Sequence, residues 1–170
     1  INTASSVITI DASDVKYTSF IPGRIYEVEC GGSSGKKAQF FNSSYVTEVV
    51  IVSECKIQLG KGSVFEDVVL VSRDTSNKSV YAASGVQLGE DDSCADGGGV
   101  SIYTAGDVTS AANLEINGVY ISAVGEVQIA ASSDAIAGIE IDANGDVSFS
   151  SQAQFGTCID TSSADDEVSY

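Results

Sequence analysis

The groups best placed to do chemistry in this chain are carboxylates. Asp107, Glu126 and Asp146 each follow a glycine and precede a valine, in triplets that begin at Gly106, Gly125 and Gly145. If each triplet occupies one turn of a repeating structure, their side chains stack one turn apart, with Lys56 heading the same column. Like charges that close repel, so such a column calls for solvent screening or for a bound cation such as calcium. A second acidic group lies in the loop from Glu90 to Gly99, where Asp91, Asp92 and Asp96 surround Cys94 and three glycines follow. The stretch Asp142-Ala143-Asn144-Gly145-Asp146 has the alternating oxygens that open a calcium loop. It has Val147 where the loop glycine belongs and Ala153 in place of the closing glutamate. The candidate calcium ligands are therefore Asp91, Asp92, Asp96, Asp107, Glu126 and Asp146. The alternative is a solvated acidic edge with a flexible acidic turn at Cys94.

A polar column is the candidate binding surface: Gln58, Gln87, Thr109 and Gln128, continued by Ser148. Stacked amides can hydrogen-bond along a stack axis, and they can also offer sugars a polar platform. Tyr103 and Tyr120 lie near it in sequence. Catalysis is not expected. Histidine is absent, which excludes a Ser–His triad. Glycoside hydrolysis needs two carboxylates facing one cleft, and the only arginines, Arg24 and Arg73, lie off the acidic triplets. A calcium-dependent polysaccharide enzyme remains one alternative. An ice-binding solenoid is another, although it would want a regular Thr-x-Thr face, and these columns mix Gln, Thr and Ser with Tyr and Glu.

The elements that must hold these residues show themselves as an internal repeat. Alternating strands begin at Val49, Val68, Val100, Val119 and Ile139, a near-constant step broken only by the long interval from Val68 to Val100. Each leads to a second strand: Ile57-Gln58-Leu59, Val86-Gln87-Leu88, then those after the three Gly-Asp/Glu-Val triplets. The long interval is explained by an insertion around 73–83. A third apolar position closes each turn at Phe65, Cys94, Leu114, Ile136 and Phe155. This pattern predicts an all-β, single-domain parallel β-solenoid of about five rungs of roughly 20 residues. Coils of variable length favour right-handed winding. A β-sandwich has no need of residue-by-residue register at a constant period. The chain divides into an N-terminal cap with an irregular coil (1–48), the solenoid (49–160) and an acidic tail (161–170).

Composition sets the compartment. The net charge is −16, all eight Lys and Arg lie at or before Lys78, and 15 acidic residues follow without a single cation. Such a surface repels nucleic acid and anionic lipid. No apolar run approaches the roughly 20 residues that span a bilayer. The even set Cys30, Cys55, Cys94 and Cys158 lacks any CxxC and fits disulfides in an exported protein. Of three possible pairings we expect Cys30–Cys55 with Cys94–Cys158; four buried free thiols are the alternative. An extracellular, periplasmic or cell-surface location follows.

From Ile57-Gln58-Leu59-Gly60 through Glu66-Asp67-Val68-Val69-Leu70, and from Val86 through Cys94 to the triple glycine, the chain resembles the exported C-terminal region of TadG-like proteins of the tight-adherence (Tad/Flp) pilus system. The resemblance covers roughly 40–158. It implies a periplasmic or surface component that supports pilus assembly or attachment; with the residues above, the expectation is a non-catalytic structural or adhesion module whose partner is a surface glycan or pilus component. It supplies no catalytic residues.

Overall fold

The computed structural model describes residues 6–32, 35–90, 99–150, 153, 155 and 156. They form a three-sided stack in which every strand pair is parallel. The first face carries Val7–Asp11, Arg24–Glu29, Val49–Ser53, Val68–Ser72 and Val100–Thr104, then the later halves of Leu114–Ala123 and Ala131–Ala143. The second carries Lys37–Gln39, Lys56–Leu59, Val80–Ala82, Val108–Ser110, Val127–Ile129 and Val147–Phe149. The third carries Tyr45–Thr47, Val64–Glu66 and Gln87–Leu88, the beginnings of the two long strands, and Phe155–Gly156. With one second-face strand per turn, the chain is a parallel β-solenoid of six coils. A 3-10 turn, Val15–Tyr17, follows the first strand, and no α-helix occurs among the described residues.

The regular coil keeps the expected period, running from Val50 to Val69 on the first face and from Lys37 to Lys56 on the second. Two places depart from the predicted alignment. The long step from Val69 to Ser101 hides two insertions, residues 73–79 before the second face and 89–99 after the third. The second-face strand of that coil is therefore Val80–Ala82, registered with Ile57–Leu59, and not Val86–Leu88. Val86-Gln87-Leu88 imitates the Ile57-Gln58-Leu59 pattern because both are short alternating runs, but Gln87 and Leu88 lie on the third face. Leu88 accordingly holds the closing position assigned to Cys94, registered between Phe65 and Ile116, and Ile116 rather than Leu114 continues that column. Cys94 and Cys158 lie outside the described residues, as do 161–170. The sixth coil, 24–47, is the irregular coil expected within 1–48, and the interval from Ile25 to its partner Val50 exceeds the period. Its excess is the glycine-rich stretch after Cys30.

The core is the inward half of each alternating strand, including Ile51, Ile57, Leu70, Ile102, Ile116 and Ile121, all essentially fully buried. At the N-terminal end it is aromatic. Phe20 meets Tyr26 edge-on at 4.8 Å, Phe20 lies 5.3 Å from Phe40, and Phe40 meets Phe65 edge-on at 5.2 Å. Cys30 and Cys55 are joined by a disulfide that ties the first coil to the second. Buried hydroxyls form an internal chain: Ser79 donates to Ser72, which donates to the Cys55 carbonyl, and Ser79 also meets Thr104 at 2.6 Å. No buried polar side-chain atom lacks a partner among the described residues.

The repeated glycines have a steric cause. Gly106, Gly125 and Gly145 stack directly, with the N–H of each later glycine donating 3.1 Å to the carbonyl of the one before it. A Cβ on Gly125 would lie 2.9 Å from the Gly106 carbonyl carbon, and one on Gly145 would lie 2.8 Å from that of Gly125. Only glycine lets the backbones close to ladder distance at this corner.

Candidate functional site

Asp107, Glu126 and Asp146 do fall on successive coils, just before the registered pairs Val108–Val127 and Val127–Val147. Asp107 turns its carboxylate along the stack, where Oδ1 accepts the Glu126 backbone N–H at 2.9 Å. Glu126 in turn accepts from the Gln128 amide at 3.1 Å. Lys56 begins the column, but the buried Ser79 separates it from Asp107, and its ammonium donates to the Asn77 carbonyl at 2.9 Å. Among the described residues no three metal-binding side chains converge. Asp91, Asp92 and Asp96 lie outside those residues.

The polar column is divided. Gln58, Thr109, Gln128 and Ser148 share the second face, with Tyr81 between Gln58 and Thr109. Gln87 stands on the third face and donates to its own chain at the Gly89 carbonyl. The amides are bonded individually, Gln58 to Lys37 at 2.6 Å and Gln128 to Glu126, so their polar capacity is directed to charged neighbours. Thr109, Gln128 and Ser148 come together with Phe149 along an open depression of about 260 Å³.

Two surfaces escaped the pattern. The outward side of the first face is apolar in its middle coils: Val50 and Val69 register with each other, as do Val52 and Val71, and the columns continue into Ser101 and Tyr120 and into Tyr103. The Tyr103 and Tyr120 rings lie 5.7 Å apart. The signal was present in Val49-Val50-Ile51-Val52 and Val68-Val69-Leu70-Val71, where both alternating sets are apolar and a two-sided apolar strand results.

The second surface is the capped end. Of eight large hydrophobic side chains exposed among the described residues, five lie there: Val7, Tyr17, Ile21, Phe41 and Tyr45. Tyr17 is 74 % exposed, Tyr45 63 % and Phe41 61 %. Three rings so exposed are costly in water unless something else covers them. Their supports are firm. The buried Tyr26 hydroxyl accepts the Ile21 N–H at 2.8 Å, pinning the segment after the 3-10 turn. The Tyr45 hydroxyl donates to the Glu66 carboxylate at 2.5 Å, and that bond, with some burial and the Glu66 charge, holds its pKa above the ordinary tyrosine value. The Asp11 carboxyl accepts the Ser13 N–H and hydroxyl, and with Lys36 at 3.7 Å these keep its pKa below the usual aspartate value.

No helix among the described residues is long and apolar enough to cross a membrane, and the disulfide points to an oxidising, extracellular environment. Comparison with curated proteins and with solved structures gave no match. The match is to a family: the chain belongs, over residues 1–159, to the one described as a domain of unknown function, DUF7867.

Proposed function

We propose that this domain is a non-catalytic, exported structural and adhesion module that holds a surface glycan or a neighbouring appendage component through its capped end. The observation that carries this is the concentration of exposed Tyr17, Ile21, Phe41 and Tyr45 on the end of the stack that carries the Cys30–Cys55 bond and is rich in cations. Rigid, solvent-facing rings contribute contact area at low entropic cost, which is why aromatic residues are enriched where surfaces bind. The acidic coils beyond Lys78 serve as a soluble stem. Cell surface or periplasm is the location that this role requires. The resemblance to TadG-like proteins supports a place in a tight-adherence pilus apparatus.

Incubating the purified chain with bacterial and algal polysaccharides in calcium tests the proposal, with retention and released products followed by mass spectrometry. Retention without products is expected. Products accumulating with time would overturn the non-catalytic assignment and make Asp107, Glu126 and Asp146 the first residues to mutate.

A further inference from the structure

Between the 3-10 turn and the third strand of the first coil lies a pocket of about 310 Å³, lined by Val15, Lys16, Thr18, Ser19, Phe20, Ser44, Tyr45 and Val46. We infer that it is a sugar-binding site for a single pyranose ring. The inference rests on the adhesion function proposed above and names what the capped end would hold.

The volume sits at the lower limit of small-molecule pockets, suited to one ring and not to an extended chain. The floor is apolar and fixed: Val15 and Val46 are buried, and Phe20 is locked against Tyr26 and Phe40. Tyr45, whose ring is exposed, belongs to the lining. Its hydroxyl is already committed to Glu66, so the ring is oriented before any ligand arrives. A sugar presents an apolar C–H face, and a pre-oriented aromatic ring is the partner that such a face needs.

The hydroxyl chemistry is complementary. Thr18 Oγ1 donates its one proton to the Asp14 carbonyl at 2.9 Å, and Ser44 Oγ donates to the Phe41 carbonyl at 2.7 Å. Each hydroxyl therefore faces a ligand as an acceptor, with lone pairs to spare. The Ser44 backbone N–H is held by Ser63 Oγ at 3.1 Å, which fixes that rim of the pocket. Acceptors arrayed beside an aromatic ring suit a polyol, whose hydroxyls are donors.

Lys16 supplies the one charge in the lining, with its ammonium 4.7 Å from the centre of the Tyr17 ring. It can pair with a carboxylate on the sugar. Asp14, two residues earlier and exposed, opposes this. An exposed ion pair contributes little, so a uronic acid should be preferred over its neutral counterpart by no more than about fivefold.

Saturation-transfer NMR on the whole domain tests the site, using methyl glycosides of glucose, galactose, mannose and N-acetylglucosamine, and of glucuronic and galacturonic acid. At least one should receive magnetisation from the protein. Tyr45→Ala should weaken that sugar at least tenfold, and Tyr45→Phe should retain it within about threefold. Tyr103→Ala, on the distant tyrosine pair, should leave it unchanged. A single cooperative melting transition for Tyr45→Ala separates lost contact from lost fold. No transfer from any of the six sugars, or equal binding by Tyr45→Ala, would overturn the inference. The polysaccharide retention experiment distinguishes the two failures. Retention that survives Tyr45→Ala leaves the adhesion function standing without this pocket, whereas the absence of any retention removes both.

Discussion

From Tyr26 to Phe65 the solenoid core is stacked on aromatic rings and cross-linked by Cys30–Cys55, whereas from Val100 to Ile129 its buried apolar residues are Val, Ile, Leu and Ala, without a ring or a described disulfide. Charge follows the same division. Residues 1–78 carry eight cations against nine carboxylates, and the remainder carries 15 carboxylates alone. Solenoid coils contact only their neighbours, so each region must supply its own stability. The distal coils do so by near-identical repetition around a glycine column. The proximal coils are irregular in length and rely on large rings and a covalent tie. Irregularity concentrates where the surface presents exposed aromatics, as expected of a region shaped for contact and not for stacking alone.

The largest effect expected is on the covalent tie. The disulfide joins cysteines at a sequence separation of 25, for which loop-closure entropy gives a contribution of about 3–4 kcal/mol. Replacing Cys30 and Cys55 together by serine should lower the urea midpoint accordingly. Hydrogen exchange should rise in Arg24–Glu29 and Lys56–Leu59 and stay unchanged in Val127–Ile129. Uniform loss of protection along the stack would show that the two regions are a single cooperative unit.

The corners offer a finer comparison. Before five of the seven first-face strands the chain passes through a left-handed residue: Gly23, Glu48 and Asp67 in the proximal coils, Gly118 and Gly138 in the distal ones. Alanine at Gly118 forces a Cβ into that conformation and should cost about 1–2 kcal/mol. Alanine at Glu48 adds no such strain, since a Cβ is already there, and should fall within about 0.5 kcal/mol of the parent. Equal losses at both sites would mean that the Cβ at the corner is not what sets Glu48 apart from Gly118.

This division explains how far the sequence could be read. The triplets at Gly106, Gly125 and Gly145 were legible because steric exclusion of a Cβ repeats the same residue at the same height. The solenoid and its first-face register follow from that regular half or its extension, whereas the Cys30–Cys55 bond was one of three pairings that an even set of cysteines allowed. The coil at 24–47 was legible only as an irregular one, because a glycine-rich insertion stretches it past the period. Gln87 was misplaced because Val80–Ala82 is a short strand with no glycine triplet to mark it. The exposed end was missed for a different reason. Tyr17, Phe41 and Tyr45 are unremarkable singly, and only folding gathers them around the cap.

A smaller test addresses the acidic stem. Glu126 lies one coil from both Asp107 and Asp146, so Glu126→Gln removes repulsion on two sides and should stabilise by about 0.2–1 kcal/mol at low salt. The gain should vanish in concentrated sodium chloride, where the Debye length is about 3 Å at 1 M. The same variant probes calcium, because a bound cation would reverse the sign: Glu126→Gln would then be less stable than the parent in millimolar calcium and more stable in chelator. Melting temperatures under these four conditions distinguish a screened acidic edge from a metal site.

The finest test returns to the capped end, where Tyr45 gives its proton to Glu66. Its pKa in the folded state is raised, chiefly by that bond. A group of this kind contributes its full stabilisation below the unfolded value of about 10 and loses it as pH rises through the higher folded value. The parent should therefore lose stability above pH 10 by more than Tyr45→Phe, which has no phenol to ionise, while the two run parallel between pH 7 and 9. Lysines and the other tyrosines titrate in both proteins and cancel in the difference. A difference flat through pH 12 would show that the bond to Glu66 does not hold the Tyr45 ring.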